Sequence, residues 1–380
     1  MEIKLLFYLT RFPGIGGIET VTSIICQALI IKGYQIDIIS HCQQNNNYNF
    51  VNIKLWKMPN PQKWVTKENY EYIDFVIKNG NYNAIIYQDS YAPTESIIYS
   101  ISQKYKIPIY VFEHNSPLLI YNKRNLESIL TIKGLLRRVL HPYLLSQERK
   151  RKRKLLDCST KYILLSKQFI SEFCKQVDYD NVDNKVTYIH NPIRITSTPV
   201  NLEIKENIIL YVGRLAPEKR VDVMLKLWRT LHNSVAKDWR FVIVGDGVEK
   251  PRLEKMVHSL NLRNVNFEGF QDPSEYYKRA KIFLMMSKFE GWGLTLIESM
   301  QYGVVPIAQK NFSSIVDIID NGINGYIVNN QQESIQSVIS ELIGNKHLFT
   351  TMSLNAIGKS KLFSIESIIP EWINLLKGNK

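Results

Sequence analysis

Short apolar runs alternate with amphipathic stretches along most of the chain. Residues 3–9, 84–87 and 108–112 are runs of the kind that form strands buried on both faces of a parallel sheet. Between such runs the apolar residues recur at helical spacing, as they do over residues 20–31. The alternation resumes near residue 207. This order predicts an α/β protein with parallel sheets.

One apolar run, residues 282–286, is followed by a glycine turn and then a helix. Gly291 and Gly293 interrupt regular structure, so we expect Glu290 at the carboxyl end of a strand and Glu298 about one turn inside the helix. Ionised carboxylates accept hydrogen bonds from hydroxyl groups, which a sugar or a ribose offers. The alternative interpretation is a solvated loop residue and an ordinary helix-face glutamate.

A second strand, residues 207–212, leads into a basic turn that contains Arg214 and Lys219. An arginine fork and a lysine charge at the end of a strand would neutralise a diphosphate. The alternative is a basic surface turn that caps the next helix. A diphosphate-binding site and a hydroxyl-binding site on successive strand–helix units would together suit a nucleotide-sugar.

These segments resemble the donor-site signatures of family 4 glycosyltransferases, and the likeness extends over most of the chain. The resemblance implies the GT-B fold, in which two Rossmann-like domains face each other across a cleft. It implies an N-terminal acceptor-binding domain of residues 1–195 and a donor-binding domain of residues 196–361. A terminal helix, about residues 362–380, is expected to pack back on the first domain.

The resemblance also implies an activity: retaining, metal-independent transfer of a sugar from a nucleotide-diphosphate sugar to a hydroxyl acceptor. UDP-sugars are favoured over GDP-sugars as donors, no separate cofactor is expected, and the acceptor is expected to be a lipid-linked glycan of a surface polysaccharide or lipopolysaccharide. The catalytic residues implied are His114, Arg214, Lys219 and Glu290. The donor-binding residues implied are Gly16, Gly17, Gly213, Gly245, Asp246, Phe270, Gly291, Gly293, Leu294, Thr295 and Glu298.

The first half of the chain adds acceptor candidates. His114 follows the run 108–112, and the resemblance implies that it contacts the transferred sugar; a structural histidine is the alternative. Glu19 in the glycine-rich first loop and Asp89 after a strand are candidate acceptor contacts. The loop departs from the Gly-x-Gly-x-x-Gly fingerprint because Glu19 comes two residues after Gly17, which argues against an oxidoreductase.

Positive charge is concentrated in one segment: residues 101–161 hold 14 basic and 4 acidic residues in a chain of net charge +13. Apolar residues between 132 and 144 follow helical spacing and precede a basic run. We therefore predict a basic amphipathic helix on an anionic membrane surface, the alternative being a core-packing helix with a solvated basic end. Its candidate surface residues are Arg137, Arg138, Arg149, Lys150, Arg151 and Lys152. No aromatic stacking motif or recognition-helix pattern accompanies them, so nucleic acid is not an expected partner.

Length and composition suit a two-domain enzyme, with 380 residues, 45% apolar and 22% charged. The chain lacks a run of roughly 18 apolar residues and leads directly into a strand, so we expect a cytoplasmic protein, peripheral on the inner face of the cytoplasmic membrane. The four cysteines are expected to be reduced. An Asp-x-Asp pattern at Asp178 lies in a polar stretch, so no metal site is expected.

Two other functions remain open from the sequence. A nucleotide-sugar epimerase can share the GT-B fold, and a non-catalytic basic adaptor would keep the membrane-binding helix without a nucleotide site.

Overall fold

The computed structural model describes residues 3–14, 16–43, 52–123, 132–196 and 199–378. The chain divides into two compact units: Met1–Arg194 with Ile365–Lys380, and Ile195–Ser364. Each unit holds one parallel sheet whose strands alternate with helices. The prediction of two Rossmann-like α/β units is confirmed.

The first unit has a seven-stranded sheet in the order β3-β2-β1-β4-β5-β6-β7. Its strands are β1 (Lys4–Arg11), β2 (Gln35–Cys42), β3 (Ile53–Lys57), β4 (Ala84–Tyr87), β5 (Ile109–Phe112), β6 (Lys161–Leu164) and β7 (Val186–Tyr188). Its first six helices are α1 (Gly17–Ile31), α2 (Lys67–Gly80), α3 (Glu95–Lys104), α4 (Leu119–Lys123), α5 (Ile132–Cys158) and α6 (Lys167–Val177). The strand order reverses between β1 and β4, and ligands of open α/β sheets bind outside the carboxyl ends of strands at such a point.

The burial of these strands follows their composition. β4 and β5 are apolar at every position and fully buried, as central strands of a parallel sheet must be. β3 carries Lys54 and Lys57 and lies half exposed at the edge of the sheet. Lysines on an edge strand disfavour pairing with another chain.

The second unit has a six-stranded sheet in the order β10-β9-β8-β11-β12-β13. Its strands are β8 (Ile208–Val212), β9 (Arg240–Val244), β10 (Val265–Gly269), β11 (Ile282–Met285), β12 (Val305–Gln309) and β13 (Tyr326–Val328). Its helices are α7 (Val221–His232), α8 (Lys250–Ser259), α9 (Ser274–Arg279), α10 (Leu294–Gln301), α11 (Ile315–Ile318), α12 (Gln332–Gly344) and α13 (Lys346–Ser360). Here the strand order reverses between β8 and β11, so the loops that follow these two strands flank the expected ligand position.

The last helix, α14 (Ile365–Leu376), belongs to the first unit. Its Trp372 is 1% exposed and stacks on Phe112 of β5 with ring centroids 4.3 Å apart. The same indole lies 6.3 Å from the ring of Phe7 in β1. Because both strands are central in the sheet, α14 is part of the hydrophobic core of the first unit.

Helix α5 is a single helix whose sides differ in exposure. We call six of its residues the exposed apolar strip; their side chains are 40% to 68% exposed. The strip consists of Leu135, Leu136, Val139, Leu140, Tyr143 and Leu144. The alternative of a core-packing apolar face is therefore wrong for these residues. Among the described helices, none is both long and apolar enough to cross a membrane.

The basic residues of α5 do not form one surface. Lys152 is 1% exposed, and its Nζ lies 2.7 Å from Glu113 Oε1, while Arg151 pairs with Glu148 at 2.6 Å. The prediction that Arg151 and Lys152 face a membrane is wrong, because each is drawn inward by a buried carboxylate. Arg137 and Arg138 are half-buried, whereas Arg149 and Lys150 are exposed.

Candidate functional site

Lys219 and Glu290 meet at the point where the second sheet reverses its strand order. The lysine Nζ lies 2.6 Å and 2.8 Å from the two carboxylate oxygens. Their side chains are 21% and 12% exposed, so the pair is accessible but shielded. The structure thus brings together a cation and an anion that the sequence places 71 positions apart.

The local backbone explains how Lys219 reaches this position. Residues Pro217–Lys219 form a 3-10 turn that begins with a proline, whose fixed φ suits a helical start. The backbone N–H of Lys288, in the loop after β11, donates to the carbonyl of Glu218 at 2.7 Å. This bond ties the turn after β8 to the loop that carries Glu290.

Arg214 also follows β8, as predicted, but its side chain is 70% exposed. Its guanidinium donates to Glu218 Oε1 at 2.8 Å, and its backbone carbonyl accepts a hydrogen bond from the Tyr211 hydroxyl at 3.0 Å. The backbone of Arg214 is therefore fixed, while the exposed guanidinium forms an ion pair with Glu218. Such pairs are weak, so the side chain is free to turn to a ligand.

The ends of β8, β9 and β10 approach each other closely. A Cβ added to Gly245, whose φ is +140°, would lie 2.0 Å from the Gly213 carbonyl oxygen, so only glycine fits. The N–H of Gly245 donates to the Gly269 carbonyl at 2.7 Å, and the Asp246 carbonyl accepts from Leu215 at 2.8 Å. Phe270, which follows Gly269, has a largely exposed ring.

Glu298 lies on helix α10 and, like Glu290, is half-buried. Gly291 and Gly293 precede this helix, and Gly293 takes a φ of +91° at the position before Leu294 and Thr295. Glu298 Oε2 accepts a hydrogen bond from the Tyr277 hydroxyl at 3.2 Å. Burial raises the pKa of Glu298, and this hydrogen bond opposes the rise. The hydrogen bond from Tyr277 therefore orients the Glu298 carboxylate, and the sequence interpretation missed this tyrosine.

In the first unit, the predicted residues gather at the ends of β1, β4 and β5. The N–H of Thr10 donates to Asp89 Oδ2 at 3.2 Å, which joins the ends of β1 and β4. Gly16 precedes α1, whose first residue is Gly17, and a Cβ on Gly16 would lie 2.4 Å from Glu19 Oε2. Burial raises the pKa of Glu19. The Glu19 carboxylate thus lies against the glycine-rich loop that contains the donor-binding candidates Gly16 and Gly17.

His114 is buried, and Gln88 is its hydrogen-bond partner. Burial lowers the pKa of His114 to about 4, so the ring is neutral at physiological pH. The preceding Glu113 is held by Lys152 and by the Tyr162 hydroxyl, which donates to Glu113 Oε2 at 2.6 Å. Gln88 lies in no motif, and Lys152 lies in a basic run that pointed to a membrane surface, so sequence reasoning could not assign either residue to this loop.

No group of three or more potential metal ligands lies together among the described residues. Asp178 ends helix α6 in the left-handed conformation and pairs with the exposed Arg149 at 3.2 Å. The Asp-x-Asp pattern is therefore part of a helix end.

Comparison with known proteins adds to this geometry. Residues 195–359 match the family model described as glycosyl transferases group 1. An uncharacterized glycosyltransferase of Haemophilus influenzae is 30% identical over 197 residues, which are 51% of this chain and 55% of the relative.

A second relative, from Campylobacter jejuni, is 30% identical over 206 residues, 53% of this chain and 57% of the relative. It is named as an α-1,4-N-acetyl-D-galactosaminyltransferase that acts on an undecaprenol-diphosphate-linked glycan. The chain thus spans little more than half the length of these curated relatives.

The solved structure of Anabaena HepE, in complex with UDP and glucose, superimposes with a TM-score of 0.76. The match covers 99% of this chain and 100% of the other at 14% identity, so it shows the GT-B fold alone. The comparisons favour neither the epimerase nor the non-catalytic adaptor.

Proposed function

We propose that this protein is a glycosyltransferase that moves a sugar from a UDP-sugar to a hydroxyl acceptor, with retention of configuration and without a metal ion. The observation that carries the proposal is the ion pair of Lys219 and Glu290 at the strand-order reversal of a glycosyl transferases group 1 domain. The choice of UDP is supported by the UDP complex of HepE.

The proposed roles follow from charge and position. Arg214 and Lys219 stabilise the negative charge that develops on the departing diphosphate. Glu290 accepts hydrogen bonds from the sugar hydroxyls, and Glu298 accepts them from the ribose. The phosphate binds beside Leu294 at the N-terminal end of helix α10, where backbone N–H groups and the helix dipole favour an anion.

The proposed chemistry is a front-face displacement. The bond between the anomeric carbon and the diphosphate oxygen breaks, and the acceptor oxygen bonds to the same face of that carbon. The departing phosphate takes the proton of the acceptor hydroxyl. No protein nucleophile is required, and the enzyme contributes positioning and charge stabilisation.

We propose further that the acceptor is a lipid-linked glycan and that the protein works at the inner face of the cytoplasmic membrane. The Campylobacter jejuni relative acts on a lipid-linked glycan. The exposed apolar strip of α5 would insert into the membrane–water interface. The exposed Arg149 and Lys150 would contact anionic lipid headgroups.

The proposal is tested first by binding and then by turnover. A thermal-shift panel of UDP, GDP and ADP is expected to show stabilisation by UDP. Substituting Arg214→Ala is expected to lower turnover by about 100-fold or more. The matched control is Arg252→Ala, because Arg252 is also exposed and paired with a nearby glutamate in the same unit. An Arg214→Ala variant that matches the control would refute the role of Arg214.

A new sugar formed from the donor in the absence of any acceptor would instead identify an epimerase. A protein that no nucleotide stabilises would contradict both enzymatic assignments.

A further inference from the structure

Gln88 lies at the end of β4, fully buried, next to His114 at the end of β5. The two strands pair in parallel with Tyr87 opposite Val111, so the residues that follow them are neighbours. Oε1 of Gln88 is hydrogen-bonded to Nε2 of His114. The backbone N–H of Gln88 donates to the carbonyl of Tyr8 at 3.0 Å, which fixes this residue to the neighbouring strand β1 as well.

The hydrogen bond determines which ring nitrogen of His114 carries the proton. A carbonyl oxygen only accepts, so Nε2 must be the donor. Burial lowers the pKa of His114 to about 4, against the opposing effect of the Asn191 side chain, and the neutral ring therefore carries a single proton. Nδ1 is left as a bare acceptor, and among the described residues it has no hydrogen-bond partner.

The His114 ring is also held by aromatic stacking. Its centroid lies 6.4 Å from that of Phe112, with 21° between the ring planes. Phe112 in turn stacks on Trp372 of α14, with only 4° between the planes. A histidine held by a stacked aromatic and by one hydrogen bond has a defined orientation, so the free nitrogen has a defined direction.

We infer that Gln88 is a positioning residue that holds His114 in the Nε2–H tautomer, so that Nδ1 accepts a hydrogen bond from a substrate hydroxyl. The ligand class follows from the chemistry of Nδ1. An ionised phosphate or carboxylate has no proton to donate to it, whereas a sugar hydroxyl has one. The role of this hydroxyl contact in sugar transfer rests on the proposed function. The assignment of the tautomer does not depend on it.

The tautomer can be observed directly in the full-length protein. Histidine labelled with 15N gives ring shifts that distinguish protonated from bare nitrogens, and the spectrum of His114→Gln identifies the signals of His114. At neutral pH we expect a protonated Nε2 and a bare Nδ1. A protonated Nδ1 in the wild-type protein overturns the inference, even if every Gln88 variant fails to fold.

Variants then test whether Gln88 sets this state. Gln88→Met removes the acceptor and is expected to populate the Nδ1–H form. Gln88→Glu keeps an acceptor and is expected to retain Nε2–H. Asn191→Leu removes the other polar side chain near the ring, and Gln168→Met changes an exposed glutamine of the same unit. Both are expected to leave the tautomer unchanged, and a change in Asn191→Leu would assign the positioning role to Asn191 instead.

Kinetics connect the tautomer to function. Gln88→Met is expected to lower kcat by about 10- to 100-fold, the loss seen when the hydrogen-bond partner of a metal-binding histidine is removed, with part of the loss restored in Gln88→Glu. Unaltered UDP affinity in the same variant would separate this effect from damage to the donor site. Lost turnover with an unchanged tautomer contradicts the inference. A wild-type protein without transferase activity but with the expected ring spectrum would contradict only the proposed function.

Discussion

At the scale of single residues, the ion pair of Lys219 and Glu290 has a mechanistic implication. Each side chain neutralises the other in the structure, with both carboxylate oxygens within 2.8 Å of the lysine. A donor diphosphate would have to compete with Glu290 for Lys219, and the sugar hydroxyls would then take over the released carboxylate. In the proposed function, donor binding and donor orientation would thereby be coupled, because Lys219 and Glu290 would each exchange the other for a part of the donor.

This arrangement predicts different effects for the two glutamates. Glu298→Ala is expected to weaken UDP binding by about 10- to 100-fold, because a hydrogen bond to a charged group contributes about 1.5–3 kcal/mol. Glu290→Ala is expected to lower turnover at saturating donor without weakening UDP binding, since its removal leaves Lys219 unpaired and available to the diphosphate.

Isothermal titration with UDP and steady-state kinetics measure the two effects separately. Glu275→Ala, which alters an exposed glutamate paired with Lys278 in the same unit, serves as the control. Equal losses of UDP affinity in Glu290→Ala and Glu298→Ala would rule out separate roles.

For most residues of the candidate donor site, the place in the fold could be predicted from the sequence. Glu290 and Arg214 follow buried strands as expected, because apolar runs broken by glycines are a local signal. The hydrogen bond from Tyr277 to Glu298 and the salt bridge between Lys152 and Glu113 could not be predicted, because they join residues distant in the chain that no pattern relates.

At the scale of elements, helix α5 has a buried side and an exposed side with different residues. Its buried side carries Lys152, which is bonded to Glu113, to the Pro117 carbonyl at 3.1 Å and to Gln176 at 3.0 Å. Lys152 therefore holds the segment between Glu113 and Pro117, which contains His114. The sequence showed a dense basic run but could not show that one lysine in it turns inward, since periodicity does not reveal a buried carboxylate on another element.

The buried lysine predicts a large effect on stability. Lys152→Met leaves the Glu113 carboxylate buried without its cation and is expected to cost about 3–5 kcal/mol of unfolding free energy. Lys150→Met, an exposed site on the same helix, is expected to change it by less than about 0.5 kcal/mol.

Urea unfolding measures both values, and the double variant Lys152→Met with Glu113→Gln is expected to recover part of the loss. Equal effects of the two lysine substitutions would show that the ion pair does not stabilise the fold.

The exposed apolar strip predicts membrane binding that depends on apolar contact. Val139→Glu places a charge in its middle and is expected to abolish sedimentation with vesicles that contain anionic lipid. Val182→Glu, at an even more exposed valine of the same unit, is the matched control and is expected to bind like the wild type. If both variants still sediment, the strip is not the membrane contact.

At the scale of the whole molecule, the alternation of apolar runs and amphipathic stretches was sufficient to predict parallel α/β sheets, because central strands such as β4, β5 and β11 are uninterrupted apolar runs. The division into two units came from the family resemblance and the length of the chain. The packing of α14 could not be read from that pattern. Its apolar spacing predicts a helix with one buried face, but it does not reveal which sheet covers that face. The structure places Trp372 on Phe112 and Phe7 of the first unit.

Trp372→Ala is therefore expected to destabilise the first unit by about 3–5 kcal/mol, because it empties a fully buried site. Hydrogen exchange is expected to become faster in peptides from β1 and β5 and to remain unchanged in β8 and β9. Trp56→Ala, on the half-exposed edge strand β3, is the control and is expected to have a smaller effect. Faster exchange in both units alike would contradict this assignment.

The placement of α14 has a consequence for biosynthesis. A ribosome makes residues 1–194 before residues 195–364. The sides of the Phe7 and Phe112 rings that Trp372 covers nevertheless stay uncovered until translation has passed Trp372. The second unit is complete in sequence by Ser364, before that helix is made. The unit that is synthesised first is thus the last to be finished, and its exposed aromatic surface makes the nascent chain a candidate for chaperone binding during this interval.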